Sequence, residues 1–306
     1  MDSLTDKTTV LLRTGPASPP GSGRDRSRPP PARLGRYELL HEIGRGAMGV
    51  VYRARDPVIN REVALKAIPL VEEFEGATLD EARTRFFREA EMAGRLSHPH
   101  IVTIYDAGET GGVAFIAMEL LRGRQLVVFT TPDRLLPPAV TLDVVAKLAD
   151  ALHYAHQQGV LHRDIKPANI VFEPSGGELR ITDFGIARLT DANRTRTGVV
   201  IGTPSFMAPE QLQGGELSGR TDLFALGITL FQLLTGRLPF RAETIPGLMV
   251  AIAHDPHPAL GALRSDLPAG LDAVLDRALA KDPGDRYASG AQMAEALRSL
   301  SRRRVA

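Results

Sequence analysis

His162-Arg163-Asp164-Ile165-Lys166-Pro167-Ala168-Asn169 decides the reading of this 306-residue chain. Within eight residues it holds a carboxylate able to act as a base, a cation two positions on, and an amide whose oxygen can ligate a metal. Working outward, Asp183-Phe184-Gly185 starts fourteen residues after Asn169, and Ala208-Pro209-Glu210 starts 25 residues after Asp183. Upstream stand Gly44-x-Gly46-x-x-Gly49-Val50-Val51 and Val63-Ala64-Leu65-Lys66, with Lys66 17 residues beyond Gly49. Glycines at 44, 46 and 49 remove the Cβ atoms that would keep backbone N–H groups away from a phosphate. A dinucleotide-binding loop shares that spacing, but such a loop opens a helix, whereas a second β-like run follows here.

Composition narrows the classes. With 43% apolar residues the chain can bury a sizeable core, and its length suits about two domains or lobes. A net charge of +1 gives no pull towards nucleic acid or an anionic membrane, so neither is expected as a partner. There is no cysteine, which removes disulfides and cysteine-held metal. The start, Met1-Asp2-Ser3-Leu4-Thr5-Asp6, is acidic and unlike a secretory signal. The longest apolar stretch, near Phe224 to Leu234, falls short of the roughly 20 residues that span a bilayer. A cytoplasmic location is expected. Of the 37 basic residues five are lysine, an arginine bias that, with abundant Ala and Gly, suggests a GC-rich bacterial genome.

Residues 1–35 are rich in Pro, Ser, Gly and Arg and carry little to bury, so this segment is expected to be a disordered tail. From Tyr37 the chain turns β-like. Strands are expected over Tyr37–Ile43, Val50–Ala54, Val63–Ile68, Ile101–Tyr105 and Val113–Met118, with a charged amphipathic helix over Leu79–Leu96 between the third and fourth. After Glu119 the pattern is helical: Val140, Val144, Val145, Leu148, Leu152 and Ala155 share a stripe, and further helices are expected over Asp222–Leu234, Leu271–Ala280 and Ala291–Leu300. The pairs His98/His100 and His153/His156 invite a metal reading, but no carboxylate or histidine cluster at ligand spacing supports one.

This ordered set resembles the eukaryotic-type, or Hanks-type, serine/threonine protein kinases found in bacteria, over about residues 36–303. The resemblance implies an α+β, bilobal protein-kinase fold. The N-lobe, about 36–119, would be a five-stranded antiparallel sheet with one long helix; the C-lobe, about 120–303, would be mainly helical. It implies ATP as phosphoryl donor, with Mg²⁺ as cofactor and Mn²⁺ as its substitute. Asp164 would take or orient the proton of an acceptor hydroxyl, and Lys166 would neutralise the transferring phosphoryl group. Asn169 and Asp183 would ligate the metal.

The ATP site would comprise Ile43, Gly44, Gly46 and Gly49 around the glycine-rich turn, Lys66 on the α- and β-phosphates, and Val51, Ala64, Met118 and Val171 around the adenine. Backbone groups of Glu119 and Leu121 would meet the adenine edge. A buried lysine needs a carboxylate partner. Helical geometry lets only one of Glu89 and Glu91 face the sheet, and the resemblance selects Glu89. Glu210 and Arg286 resemble a buried structural pair, Asp222 would hold the catalytic-loop backbone, and His162 and Phe184 would stack with Ile104.

The polar run Asn193-Arg194-Thr195-Arg196-Thr197-Gly198 resembles a doubly phosphorylated activation loop, with Thr195 and Thr197 as autophosphorylation sites. Arg163, Arg188 and Arg85 are the candidate receivers for those phosphates. Thr203 is expected to hydrogen-bond Asp164 and Lys166 and so seat the acceptor hydroxyl. The implied partners are protein substrates with Ser or Thr acceptors, a transient kinase–kinase dimer for trans-autophosphorylation, and a cognate phosphatase. Two other classes share the fold. A pseudokinase scaffold would usually lack the lysine, the base or the metal ligand, all present here. A small-molecule phosphotransferase would not be expected to carry Ala208-Pro209-Glu210 after a Thr-rich segment.

Overall fold

The computed structural model describes residues 33–46, 49–74, 76–184 and 204–303. The expected tail up to residue 32 and the three threonines Thr195, Thr197 and Thr203 lie outside them. The chain divides into two compact units. The first contains residues up to Arg95, then Val102–Arg124 and Phe172–Glu178; the second contains Leu96–Ile101, Gln125–Val171 and the chain from Leu179.

The first unit is an antiparallel sheet of β1 (Arg33–Leu34), β2 (Tyr37–Gly46), β3 (Gly49–Asp56), β4 (Arg61–Ile68), β5 (Ile104–Thr110) and β6 (Val113–Met118), in the order β1-β2-β3-β4-β6-β5. All five expected strands are present, and a two-residue sixth is added. Arg33 and Leu34 pair with Glu38 and Tyr37, and Leu34 is buried, so the sheet takes in the end of the segment expected to be disordered. Leu34, Tyr37, Tyr52, Ala54, Val63, Leu65, Ala67, Phe115 and Ala117 form one apolar cluster. Asp56 starts the turn into β4 by accepting the Val58 N–H, and Asn60 closes it at φ +51°, a conformation its short polar side chain tolerates.

The fourth expected strand is displaced. It runs over Ile104–Thr110 rather than Ile101–Tyr105, and Ile101 makes only an isolated parallel bridge to Ile181. Gly108 explains the pairing at its centre, since a Cβ there would stand 2.5 Å from the Phe115 ring. Two helices accompany the sheet, the single turn α1 (Leu70–Glu73) and the long α2 (Ala77–Gly94). On α2, Ala82, Phe86, Glu89, Ala90 and Ala93 are buried at the spacing of one helical face.

The second unit is helical, with α3 (Pro138–Gln157), α4 (Pro209–Gln213), α5 (Gly219–Thr235), α6 (Ile245–His254), α7 (Leu271–Ala278) and α8 (Gly290–Arg303). Helix α5 is its axis and is buried almost along its whole length. Ser218 caps it through the Arg220 N–H, and Gly236 ends it at φ +71°. Inside, the hydroxyls of Thr229 and Thr235 donate to the carbonyls of Ala225 and Phe231, so a helix without a polar face leaves few polar groups unmet. Helices α3 and α8 approach closely at Gly290, where a Cβ would lie 2.1 Å from the Ala149 carbonyl oxygen.

Candidate active site

In the second unit a buried carboxylate organises the loop 162–169. Asp222, in the first turn of α5, accepts the His162 N–H at 2.9 Å on Oδ2 and the Arg163 N–H at 2.7 Å on Oδ1. His156 Nε2 adds a third contact to this carboxylate, on Oδ2 at 2.8 Å. Burial alone would raise the Asp222 carboxyl. The hydrogen bond and charge of His156, with the His162 backbone, outweigh it and hold the group below the usual range. With both N–H groups gripped, Arg163 sits at φ +68°, where a non-glycine residue carries strain of roughly 1–3 kcal/mol. Asp183 is strained likewise at φ +64°.

That grip aims the side chains. Lys166 Nζ donates to Asp164 Oδ2 at 2.6 Å, and Asn169 Nδ2 donates to the same oxygen at 3.0 Å and to the Asp164 carbonyl at 2.8 Å. Two donors on Oδ2 leave Oδ1 as the oxygen able to receive a hydroxyl proton. Asn169 spends its amide nitrogen inside the loop, so its oxygen remains for a cation. The loop is also held from its flanks. Gln125 donates to the Ala168 carbonyl at 2.5 Å and Gln211 to the Arg163 carbonyl at 3.0 Å.

His162 is fully buried, its Nε2 donating to Thr182 O at 2.8 Å and its Nδ1 accepting the Asp164 N–H at 3.2 Å. Its ring meets Phe184 edge to face at 4.6 Å, as expected for that pair. Thr182, next to Asp183, donates its N–H to Asn169 O at 2.9 Å, tying the two expected metal residues through the backbone. Among the described residues no three His, Cys, Asp or Glu gather into a metal cluster. The donors that Asn169 and Asp183 do offer are oxygens, which suit a hard cation completing its shell with water and phosphate, as Mg²⁺ does.

The first unit places the other candidates. Gly44 and Gly46 end β2, and Gly49 opens β3 against Gly46. Gly49 has φ +151°, and a Cβ there would lie 2.0 Å from the Ala67 carbonyl oxygen, so only glycine fits. On β4, Lys66 pairs with Val51 on one side and Ile116 on the other, while Ala64 pairs with Met118. Ile43, Ala64, Met118 and Leu121 are buried. The Glu119 N–H donates to the Thr103 carbonyl at 2.9 Å. Of the two candidate carboxylates near the end of α2, Glu89 is 6% exposed, whereas Glu91 is exposed and pairs with Arg95. In the second unit, Val171 is buried in the strand Ile170–Glu173.

The expected Glu210–Arg286 pair is bidentate and buried, with both oxygens 2.8 Å from guanidinium nitrogens. Burial would raise Glu210, but the Arg286 hydrogen bonds and charge bring it below its usual value. Ala280, Arg220 and Lys281 carbonyls take the remaining Arg286 donors. Sequence reasoning missed Gln125, Gln211 and the role of His156, whose partners lie 43, 48 and 66 residues away. No local pattern announces such pairs.

The chain belongs to the protein kinase domain family, whose model matches residues 37–298. It is similar to the serine/threonine-protein kinase PrkC of Bacillus subtilis, 38% identical over 260 residues, and to PknD of Mycobacterium tuberculosis, 40% identical over 265 residues. These matches take in 85% and 86% of this chain but 39% of each relative, so the chain spans about two-fifths of their length. Among solved structures, the PknI kinase domain of Mycobacterium tuberculosis matches with a TM-score of 0.70 and 36% identity, covering 88% of this chain and 97% of that one.

Proposed function

We propose that this chain is an ATP-dependent protein serine/threonine kinase that moves the γ-phosphate of ATP to Ser or Thr hydroxyls of protein substrates. The observation that carries the reading is the arrangement at Asp164: one carboxylate oxygen fixed by Lys166 and Asn169, the other left for an acceptor. Asp164 Oδ1 receives the hydroxyl proton as the oxygen attacks, and Lys166 offsets charge on the phosphoryl oxygens. Asn169 and Asp183 would hold Mg²⁺, with Mn²⁺ as substitute; bound there, the ion would neutralise phosphate charge and orient the phosphates.

For ATP itself, Ile43, Gly44, Gly46, Gly49, Val51, Ala64, Lys66, Met118, Glu119, Leu121 and Val171 form the binding set, with Glu89 as the carboxylate for Lys66. The bare backbone at Gly49 supports this. Thr195 and Thr197 are proposed autophosphorylation sites and Thr203 the residue seating the acceptor. A transient dimer of the chain and a cognate phosphatase complete the cycle, in the cytoplasm. None of the described helices is long and apolar enough to cross a membrane.

The test is transfer of labelled γ-phosphate to a generic protein substrate and to a panel of small alcohols, with Mg²⁺ supplied or chelated. Metal-dependent labelling of Ser and Thr in protein, abolished in Asp164→Ala, is expected. Near-normal turnover by that variant, or transfer only to small alcohols, would remove the assignment.

A further inference from the structure

At the end of α5 the second unit holds a cavity of about 290 Å³, close to the small end of the range for ligand pockets. Phe231, Leu238, Phe240, Ala251 and Leu263 give it apolar walls, and Arg237, Arg241 and Asp255 stand exposed around them. The walls are preformed. The Arg237 N–H donates to Thr235 Oγ1 at 3.2 Å, directly after the left-handed Gly236, which fixes where the segment leaves the helix. Arg264 donates to the Leu234 carbonyl at 2.8 Å and so ties the segment bearing Leu263 to the end of α5. Phe231 and Phe240 are 0% and 2% exposed and cannot swing away.

The charge around this cavity is unbalanced. Neither the Arg237 nor the Arg241 guanidinium has an ion pair or hydrogen bond among the described residues. A third cation, Lys281, lies 3.9 Å from the centre of the Phe240 ring and donates to the Ile252 carbonyl at 2.6 Å. Against these stands the carboxylate of Asp255. Arginine beside aromatic walls is the composition of an interface core rather than of idle surface. The cavity has room for one large apolar side chain but not for a folded element.

We infer that this cavity is a docking pocket for an acidic segment of a partner protein, which sets one aromatic or branched apolar side chain against Leu238 and Leu263 and its carboxylates against Arg237 and Arg241. This rests on the kinase reading in one respect, that the partner so captured is a protein substrate. Docking here would lower the KM for substrates carrying such a segment and leave kcat for the phosphoryl step unchanged.

The experiment uses the full chain and a fluorescent peptide with two acidic residues on each side of one phenylalanine. Anisotropy reports its binding, and the same segment is joined through a flexible linker to a minimal Ser acceptor for kinetics. Binding is expected to fall about tenfold or more in Arg237→Ala/Arg241→Ala and in Leu263→Asp, and equally when phenylalanine is replaced by serine. The linked substrate should show a lower KM than the minimal acceptor in the wild type and lose that advantage in the double variant. Because the minimal acceptor reports the kinase reading by itself, its failure is separable from failure of docking. Equal binding of the serine peptide, preference for a basic peptide, binding of a small aryl carboxylate but not the peptide, or an unaffected double variant would each overturn the inference.

Discussion

Asp222→Asn is the sharpest test of how the catalytic loop is held. The carboxylate accepts from two backbone N–H groups and from His156, all in a site 1% exposed. An asparagine of the same shape keeps one oxygen and replaces the other by an NH₂ donor. Whichever way the amide turns, at least one backbone N–H of His162 or Arg163 then faces a donor. A buried group so orphaned costs about 1–3 kcal/mol, and losing a hydrogen bond to a charged acceptor costs about 1.5–3 kcal/mol. These overlap in part, so a net loss of about 2–4 kcal/mol is expected, a shift of roughly 5–10 °C in the thermal midpoint.

Activity should fall further than stability implies, because Asp222 grips the strained Arg163 backbone nitrogen directly and Asp164 follows it. Calorimetry and turnover measured at a temperature where both proteins are folded separate the two effects. The pH dependence gives a second check. A carboxyl held below its usual value contributes stability above an unfolded pKa of about 4 and loses it as pH falls further, and the asparagine variant should lack that acid-sensitive contribution. A variant within about 0.5 kcal/mol of the wild type, with normal turnover, would refute the view that Asp222 sets the loop.

Removing Arg286 leaves Glu210 buried without its paired cation, so Arg286→Ala should cost about 3–5 kcal/mol in denaturant unfolding, and Arg286→Met distinctly less. Gly49→Ala forces a Cβ against the Ala67 carbonyl and should cost about 2 kcal/mol or more. A lower thermal midpoint and weaker binding of a non-hydrolysable ATP analogue would both register it. His98 and His100 are held below the ordinary histidine range, first by burial and then by nearby charge. Their stability contribution is therefore present above about pH 6.5 and shrinks as pH falls through and below that value. His98, stacked on Tyr154 at 5.3 Å, accepts the His100 N–H on Nδ1, a bond that protonation removes. Unfolding midpoints of a His98→Asn/His100→Asn variant between pH 7 and 5 should decline less steeply than those of the wild type.

The loop 162–169 stood out because few residue types suit the chemistry its resemblance implies, while the donation of both Lys166 and Asn169 to Asp164 within 3.0 Å comes from the structure. Long helices were legible to within a few residues from their apolar periodicity. The strand at Ile104–Thr110 was not, because Ile101, Val102 and Ile104 look more strand-like than Asp106, Gly108 and Glu109. Pairing with Val113–Met118 overrode that local preference. Arg33 and Leu34 were hidden by the proline-rich run before them. The arginine pocket escaped notice because its walls come from four separated segments, and Arg237 and Arg241 read singly as ordinary surface cations.

Helix α5 works as a ruler. Asp222 in its first turn fixes the loop that carries Asp164, and Phe231 and Thr235 near its other end shape the docking pocket. At 1.5 Å per residue, the 9 to 13 positions between them set a span of roughly 14–20 Å along the axis. An extended peptide covers about 3.3 Å per residue, so a substrate engaging both places would need a spacer of several residues between its apolar anchor and its acceptor hydroxyl. A buried helix with no polar face cannot stretch or slide to suit a shorter one. Selection among substrates would then depend on the separation between two features as well as on either feature alone.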